Sequence, residues 1–321
     1  MELICPAGTP AAFRDAIAAG ADAIYCGFNN ETNARNFPGL NFSCEELEQA
    51  IGQANDRGVK TLVALNTFMR AGSEQLWMQA VDDAVRLGAH ALILADLGLL
   101  AYAAEKHPSQ RLHLSVQAAA SNVEYIEFLI AAFGIKRAVL PRVLTIAEIG
   151  AISSKVSCET EVFVFGGLCV MEEGRCSLSS YATGRSPNMH GVCSPASHVR
   201  YRPDGDDMVS ELGAFTINRF PKDEPTGYPT LCKGRFVAGD SEGYVFEDPA
   251  SLDVLAHIDE LRDAGVAALK IEGRQRGRAY VAQVVSEIRK AMDTPGARTS
   301  ALTGLTEGHR TTEGSYDKRW R

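Results

Sequence analysis

The sequence has no long apolar run, no excess of positive charge and no signal-like leader. Its most apolar segment, ALILADLGLLAYAAE, is interrupted by Asp96 and is too short to cross a bilayer. The first ten residues, MELICPAGTP, lack the basic start and the apolar core of a signal peptide. We therefore expect a soluble, cytoplasmic protein without a transmembrane segment.

The shortage of basic residues also limits the partners we expect. The formal net charge of the 321-residue chain is −8. Binding a long nucleic acid requires a basic face that neutralises phosphates. We therefore expect no long nucleic acid as a partner, while a local basic pocket for a small anion remains compatible with this charge. Hydrophobic residues make up 45% of the chain, which is enough for a large core.

Apolar segments recur along the chain in a βα pattern. Four segments share a helix end, a glycine and a short apolar strand: AAGADAIYCG, RLGAHALILAD, AAFGIKRAVLPR and DAGVAALKIEG. With four further apolar segments they predict eight strands, at residues 2–5, 21–26, 59–66, 89–95, 111–117, 136–140, 161–165 and 266–272. Capping-box patterns at Ser43–Glu46 and Thr145–Glu148 indicate helices between strands. The alternation predicts an α/β fold, a (β/α)8 TIM-like barrel, with an open doubly wound sheet as the alternative.

The alternation is interrupted once, between the seventh and eighth strands. We predict a barrel formed by residues 1–165 and 266–295, a cysteine-rich insertion of residues 166–265, and a polar C-terminal tail of residues 296–321 in loop or partly disordered form. The insertion starts where the seventh strand ends. We therefore expect it at the C-terminal face of the barrel, which carries the active sites in this type of fold.

Four of the eight cysteines lie in the insertion, with the spacing C-x6-C-x16-C-x38-C: Cys169, Cys176, Cys193 and Cys232. Four thiolates are the usual number for a closed metal site. Structural zinc sites usually use closely paired cysteines, which are missing here. Wide spacing in a glycine-rich segment fits an iron–sulfur cluster better, with zinc or four free thiols as alternatives. We assign structural positions to the other four cysteines.

Polar residues at the ends of the predicted strands are candidate site residues. In LKIEGR, Lys270 and Glu272 share one side of the eighth strand. We predict a catalytic role for both, with a structural ion pair between them as the alternative. We predict substrate contacts for residues that follow other strands, because arginine is suited to carboxylate recognition. These are Arg35, Asn66, Gln117, Arg142 and Arg274. Solvated loop positions, or pairing with local acids, are the alternative for the arginines.

The segment EVFVFGGLCVMEEGRCSLSSYATGRSPNMHGVCSPASHVRY resembles the signature region of the collagenase-like "U" peptidase family (U32-type). The segments ARNFPGLNFS, LPRVLTIAEI and LKIEGR resemble it too, so that the likeness spans residues 1–295. Within the family, FVFGGLC and CSPA look most similar to the UbiU-type branch, which acts in O2-independent ubiquinone biosynthesis.

This resemblance implies a [4Fe–4S] cluster on Cys169, Cys176, Cys193 and Cys232. It also implies a heterodimer with a UbiV-like family member, which hydroxylates aromatic ring precursors of ubiquinone with prephenate as a possible oxygen donor. Such precursors are too apolar to travel through water alone, so we expect a lipid carrier or another biosynthesis protein as a partner. The alternatives are an RNA-base hydroxylase of the same family and a non-catalytic iron–sulfur partner subunit. A peptidase is less favoured, because neither H-E-x-x-H nor G-x-S-x-G occurs.

Overall fold

The computed structural model describes residues 1–188, 193–294 and 302–316. The strands in these ranges are β1 (Glu2–Pro6), β2 (Ala23–Cys26), β3 (Lys60–Leu65), β4 (Ala91–Leu94), β5 (Arg111–Leu114), β6 (Arg137–Val139), β7 (Glu159–Gly167), β8 (Val199–Asp204), β9 (Asp207–Leu212), β10 (Phe215–Phe220), β11 (Arg235–Ala238), β12 (Ser241–Tyr244), β13 (Ser251–Asp253), β14 (Ala268–Ile271) and β15 (Thr311–Thr312). The α-helices are α1 (Pro10–Ala18), α2 (Cys44–Asn55), α3 (Gln75–Arg86), α4 (Leu97–Lys106), α5 (Val123–Phe133), α6 (Ile146–Ser153), α7 (Leu178–Thr183), α8 (Ile258–Asp263) and α9 (Arg278–Asp293). None of these helices is long and apolar enough to cross a membrane.

Eight strands form a closed parallel barrel. Strands β1 to β7 pair in parallel, each with the next, and β14 pairs in parallel with both β7 and β1. This closure confirms the predicted (β/α)8 barrel and makes the open-sheet alternative wrong. Each of the eight predicted strands is present, with shifted ends. The segment after β5 leaves the sheet early, because the Ser115 hydroxyl accepts from the Gln117 N–H and caps a short 3-10 helix.

Local sequence signals explain how the helices begin and why they pack on the barrel. Both predicted capping boxes are present: Ser43 and Glu46 begin α2, and Thr145 and Glu148 begin α6, each pair exchanging side-chain and backbone hydrogen bonds. The last helix, α9, buries the apolar stripe expected from its sequence: Val281, Val284, Val285, Ile288 and Met292. The barrel helices therefore cover the outer face of the strands with a continuous apolar layer.

The residues between β7 and β14 cover the C-terminal mouth of the barrel. They contain α7, the antiparallel sheet β8–β9–β10 and the hairpin β11–β12. Strand β13 then pairs antiparallel with β7, and α8 leads into β14. Residues 302–316, the part of the predicted tail that the structure describes, return to this region, where β15 pairs with β13. Tyr316 is buried there and donates from its hydroxyl to the Phe163 carbonyl at 2.5 Å.

Candidate active site at the barrel mouth

A cavity of about 810 Å³ lies at the C-terminal mouth of the barrel. Its walls are the ends of the barrel strands, the insertion and residues 306–309. All eleven residues selected from the sequence line this one cavity: Arg35, Asn66, Gln117, Arg142, Cys169, Cys176, Cys193, Cys232, Lys270, Glu272 and Arg274. The structure thus brings together residues that are up to 239 positions apart (274 minus 35). Their individual roles stay predictions.

The four insertion cysteines are free thiols and influence one another. Burial raises the pKa of Cys169, and Glu173 and Cys193 add to the effect. Burial, with Cys193 and Cys176 nearby, raises the pKa of Cys232 to about 12. Buried thiols resist ionisation, and only the thiolate form binds a metal. A bound cationic group would therefore have to stabilise the thiolates.

The number and chemical type of these donors bear on the kind of group they fit. Across the described ranges, no three His, Cys, Asp or Glu side chains are close enough to hold a metal ion. Four cysteines are the usual ligands of an iron–sulfur cluster, and they also occur in structural zinc sites. The donor set is of the right type and number for [4Fe–4S], which stays a prediction.

A glycine holds the first cysteine loop against the barrel. Gly174 has a φ of +81°, and a Cβ there would lie 1.8 Å from the Gln117 carbonyl oxygen. No other residue fits this close approach without backbone movement. Within the same loop the Cys169 thiol donates to the Met171 carbonyl at 3.2 Å. The loop with Cys169 and Cys176 is thereby fixed to the end of β5.

An ion pair with the adjacent strand β7 holds Lys270 in place. Its Nζ lies 2.6 Å from Glu161 Oε1 on β7, and both side chains are buried. It also lies 3.9 Å from the centroid of the Tyr25 ring. Burial lowers the pKa of Lys270, although Glu161 opposes the shift. The Lys270–Glu272 ion pair considered from the sequence is wrong, because the register of β7 and β14 brings Glu161 closer than the next residue on the same side of the strand.

Glu272 instead faces the loop after β2. Its Oε1 lies 3.7 Å from Arg35 Nε, and its Oε2 accepts from the Gly167 N–H at 3.1 Å. Burial disfavours the charged form, but Arg35 and Arg142 outweigh it and lower the pKa of Glu272. Glu272 is therefore ionised at neutral pH, which suits it to orient a donor group rather than to give up a proton.

Arg142 forms a buried ion pair with Glu173, a residue that the sequence reasoning missed. The guanidinium carbon lies 3.6 Å from the centroid of the Phe163 ring. Burial raises the pKa of Glu173, with Arg142 opposing it. Arg142 Nε and Glu173 Oε2 have no hydrogen-bond partner. Both residues line the cavity, so these polar atoms are candidate contacts for a ligand.

Arg274 is the clearest candidate for anion binding. Its Nη1 donates to Asn33 Oδ1 at 2.6 Å, and no carboxylate in the described ranges lies within 4.0 Å of it. Burial lowers the pKa of Arg274 to about 10. Asn33 is completely buried and also accepts from the Arg35 N–H at 3.0 Å. The sequence reasoning missed Asn33, although it lies two residues before Arg35.

Asn66 and Gln117 support the site in different ways. Asn66 Oδ1 accepts from the Ala34 N–H at 3.0 Å and so holds the loop that carries Arg35. Gln117 packs its backbone against Gly174, while its Oε1 has no hydrogen-bond partner. Asn66 is therefore placed to position a neighbour, and Gln117 offers an acceptor to a ligand.

A second charged cluster fills the opposite, N-terminal end of the barrel and was also missed. Arg137 is buried, with Nη2 2.6 Å from Glu2 and 2.5 Å from Glu159, and with Nη1 3.2 Å from Glu161. Glu161 thus links Arg137 to Lys270. The sequence signal was the presence of charged residues inside otherwise apolar strands, as in KRAVL and ETEVF. Glu161 is the member of this cluster that provides the counter-charge of Lys270, on the N-terminal side of the cavity.

Comparisons with known proteins show which family this chain belongs to. The model of Peptidase family U32 matches residues 8–313. The chain belongs to this family. It is 33% identical to tRNA hydroxylation protein P of Escherichia coli, over 95% of this chain and 71% of that protein. It is 31% identical to the 23S rRNA 5-hydroxycytidine C2501 synthase of E. coli, over 96% of this chain but only 42% of that protein. A solved U32 peptidase matches 51% of this chain and 68% of its own, with 20% identity and a TM-score of 0.44.

Proposed function

We propose that this U32 protein is a hydroxylase, or the hydroxylase subunit of a complex, that acts on a base of structured RNA. The observation that carries this proposal is the likeness to the E. coli tRNA hydroxylation protein over nearly the whole chain. It favours the RNA-base alternative over ubiquinone biosynthesis, which was our first expectation from the sequence. The closer likeness to the UbiU-type branch stays a prediction.

The dimensions of the cavity support a single extruded base as the substrate. Enzymes that modify a base take it out of its stack and enclose it in a pocket. A volume of about 810 Å³ is within the range of small-molecule sites. A tRNA or an rRNA is a long nucleic acid, so this proposal replaces the expectation, drawn from the net charge of −8, that no long nucleic acid is bound.

Two tyrosines at the rim of the cavity are suited to contact bases. Tyr201 and Tyr228 both line it and are 45% and 43% exposed. Their hydroxyls donate to the carbonyls of Gly227 and Ser194, at 3.3 Å and 2.9 Å. Because the polar ends are fixed to the backbone, the rings are held in place as stacking surfaces, and single-stranded RNA is commonly bound by such aromatic faces.

Charged residues deeper in the cavity provide the remaining contacts. Arg274 is proposed to bind a phosphate or the carboxylate of a small oxygen donor such as prephenate. The buried Lys270 is proposed to hold a proton near the reacting ring, because its pKa is lowered by burial. Glu272 is proposed to accept a hydrogen bond from the substrate. A [4Fe–4S] cluster on Cys169, Cys176, Cys193 and Cys232 would supply electron transfer.

The proposal is tested in an E. coli strain that lacks both tRNA hydroxylation protein P and the 23S rRNA 5-hydroxycytidine C2501 synthase, so that neither relative adds oxygen to the analysed RNA. The chain is expressed there, and nucleosides from its tRNA and rRNA are analysed by mass spectrometry for species one oxygen atom heavier. We expect such a nucleoside with the wild-type chain and with Cys44→Ser, a control at a residue that does not line the cavity. We expect none with Cys193→Ser. If wild-type expression produces no oxygenated nucleoside in either RNA, the proposed substrate is wrong.

Hydroxylation of ubiquinone ring precursors is the second candidate, because the acidic charge of the chain favours a small substrate over RNA. This function would require the UbiV-like partner and a lipid carrier or another biosynthesis protein. It is tested by co-expressing the chain with such a partner in a strain that makes no ubiquinone without O2. Anaerobic recovery of ubiquinone, with unchanged RNA nucleosides, would favour it.

A further inference from the structure

The C-terminal segment 303–312, which we call the strap, forms one wall of the candidate site. Four of its residues line the cavity: Thr306, Glu307, Gly308 and His309. The strap is attached on both sides, because Leu302 before it is fully buried and Thr311 and Thr312 pair with β13. The proposed function assigns no task to these residues.

The backbone of the strap makes a tight turn beside the cavity. Gly308 and His309 have φ values of +60° and +54°. A Cβ at residue 308 would lie 3.1 Å from the Pro249 carbonyl oxygen. A residue other than glycine in the left-handed region persists where its surroundings hold it, and such positions are concentrated at binding sites. The neighbouring strap residue, Glu307, provides two of the contacts beside this turn.

Glu307 connects the strap to the insertion through a buried lysine. Its Oε2 lies 3.0 Å from Nζ of Lys233, and its backbone N–H donates to the Ser251 hydroxyl at 2.9 Å. Lys233 is 4% exposed, and its Nζ also donates to the Ala250 carbonyl at 2.9 Å. A lysine is rarely buried without a counter-charge, so its position depends on Glu307. Lys233 directly follows Cys232 in the sequence.

We propose that Glu307, acting through Lys233, is a positioning residue for Cys232 and holds the strap closed over the cavity. The ion pair joins the C-terminal strap to the cysteine segment, although the two residues are 74 positions apart. Loss of the carboxylate frees the Lys233 side chain to seek water, which moves the adjacent cysteine and opens the wall. The inference is independent of the substrate and of the group that the cysteines bind.

The test measures how accessible Cys232 is in the full chain freed of metal. Iodoacetamide alkylation of each cysteine is followed by mass spectrometry, with the partly exposed Cys44 on α2 as internal reference. In Glu307→Ala we expect the alkylation rate of Cys232, relative to Cys44, to rise about tenfold through local opening. Glu307→Gln keeps a hydrogen bond to Lys233 but loses the counter-charge, so its rate is expected to lie between those of the wild type and Glu307→Ala. Glu242→Ala, at an exposed position on β12, is the matched control and should change nothing.

Two results would overturn the inference. One is an unchanged relative rate at Cys232 in Glu307→Ala. The other is an equal rise at Cys5, which is fully buried in the barrel, because the loss would then be one of global stability and not of local position. Neither result bears on RNA hydroxylation, which is measured separately through the nucleosides.

Discussion

Arg274 and Arg137 are two buried arginines in one barrel with opposite electrostatic surroundings. They are 5% and 4% exposed. Arg137 contacts three carboxylates, and despite burial Glu161 and Glu2 raise its pKa. The guanidinium of Arg274 donates a hydrogen bond to the Asn33 side chain instead, and no carboxylate in the described ranges lies within 4.0 Å of it. We predict that Arg137→Met destabilises the protein, whereas Arg274→Met leaves its stability unchanged or raises it.

The expected change in the free energy of unfolding of Arg274→Met follows from the pKa of Arg274. Burial lowers it from 12.5 to about 10, and each pKa unit corresponds to ~1.4 kcal/mol. Because the unfolded chain keeps the higher pKa, the charge destabilises the fold by about 3 kcal/mol below pH 10, and this cost declines as the pH rises from about 10 towards 12.5. We therefore expect the unfolding free energy of Arg274→Met to be unchanged or up to about 3 kcal/mol higher. For Arg137→Met we expect a loss of about 3 kcal/mol, because Glu2, Glu159 and Glu161 lose the cation they share. Each keeps one other cation, in the pairs Glu2–Lys60, Glu159–Arg111 and Glu161–Lys270.

The assay combines stability and binding. Urea unfolding of the wild type and both variants, followed by circular dichroism, gives the free energies, and tRNA binding is measured on the folded proteins. We expect Arg274→Met to bind tRNA at least about thirtyfold more weakly, since truncating a buried charged contact costs about 2–5 kcal/mol. A variant Arg274→Met that is less stable by more than about 2 kcal/mol and binds tRNA normally would refute the reasoning. Arg274 would then be a structural residue.

Three further predictions concern other parts of the molecule. Cys169→Ser should lose bound iron and sulfide together after anaerobic purification, while Cys44→Ser keeps both; one zinc and no sulfide in the wild type would contradict the cluster. Tyr201→Ala should weaken binding of single-stranded RNA about fivefold or more, as measured by fluorescence anisotropy, whereas Tyr181→Ala, at an 87% exposed position outside the cavity, should leave it unchanged. Burial opposes ionisation of Glu2, but hydrogen bonds from the cations beside it lower its pKa to about 2, so its contribution to stability is complete above about pH 4.5 and is lost as the pH falls towards 2. Glu2→Gln should flatten this pH dependence in urea unfolding, and an unchanged slope would show that other carboxylates cause it.

The sequence predicted those features that depend on local pattern. Apolar strand segments and capping boxes act over a few residues, and the barrel and both helix starts were confirmed. The positions of the site residues at strand ends followed from the topology of such a barrel, because the ends of parallel strands meet at one face. The cavity accordingly contains every residue selected.

What the sequence could not predict are contacts between distant segments. Glu161 and Lys270 are 109 positions apart, and Lys233 and Glu307 are 74 apart. Such pairs depend on strand register and on where the insertion folds back. The alternative that Lys270 pairs with Glu272 was therefore wrong, because Lys270 pairs with Glu161. Asn33 gave no separate signal, since a buried asparagine is recognised by its hydrogen bonds and not by its spacing.

These distant pairs explain how an acidic chain can have a site for an anion. Most cations of the cavity wall have a carboxylate partner, in the pairs Lys270–Glu161, Arg35–Glu272, Arg142–Glu173 and Lys233–Glu307. Arg274 and Arg276 also line the cavity and have no carboxylate within 4.0 Å among the described residues, so the wall carries a local positive surplus. Surface acids further away than the Debye length of about 8 Å are screened by salt, whereas charges inside a buried cavity are not. We therefore propose that the net charge of −8 limits what binds to the outer surface, while Arg274 and Arg276 favour an anion inside the cavity.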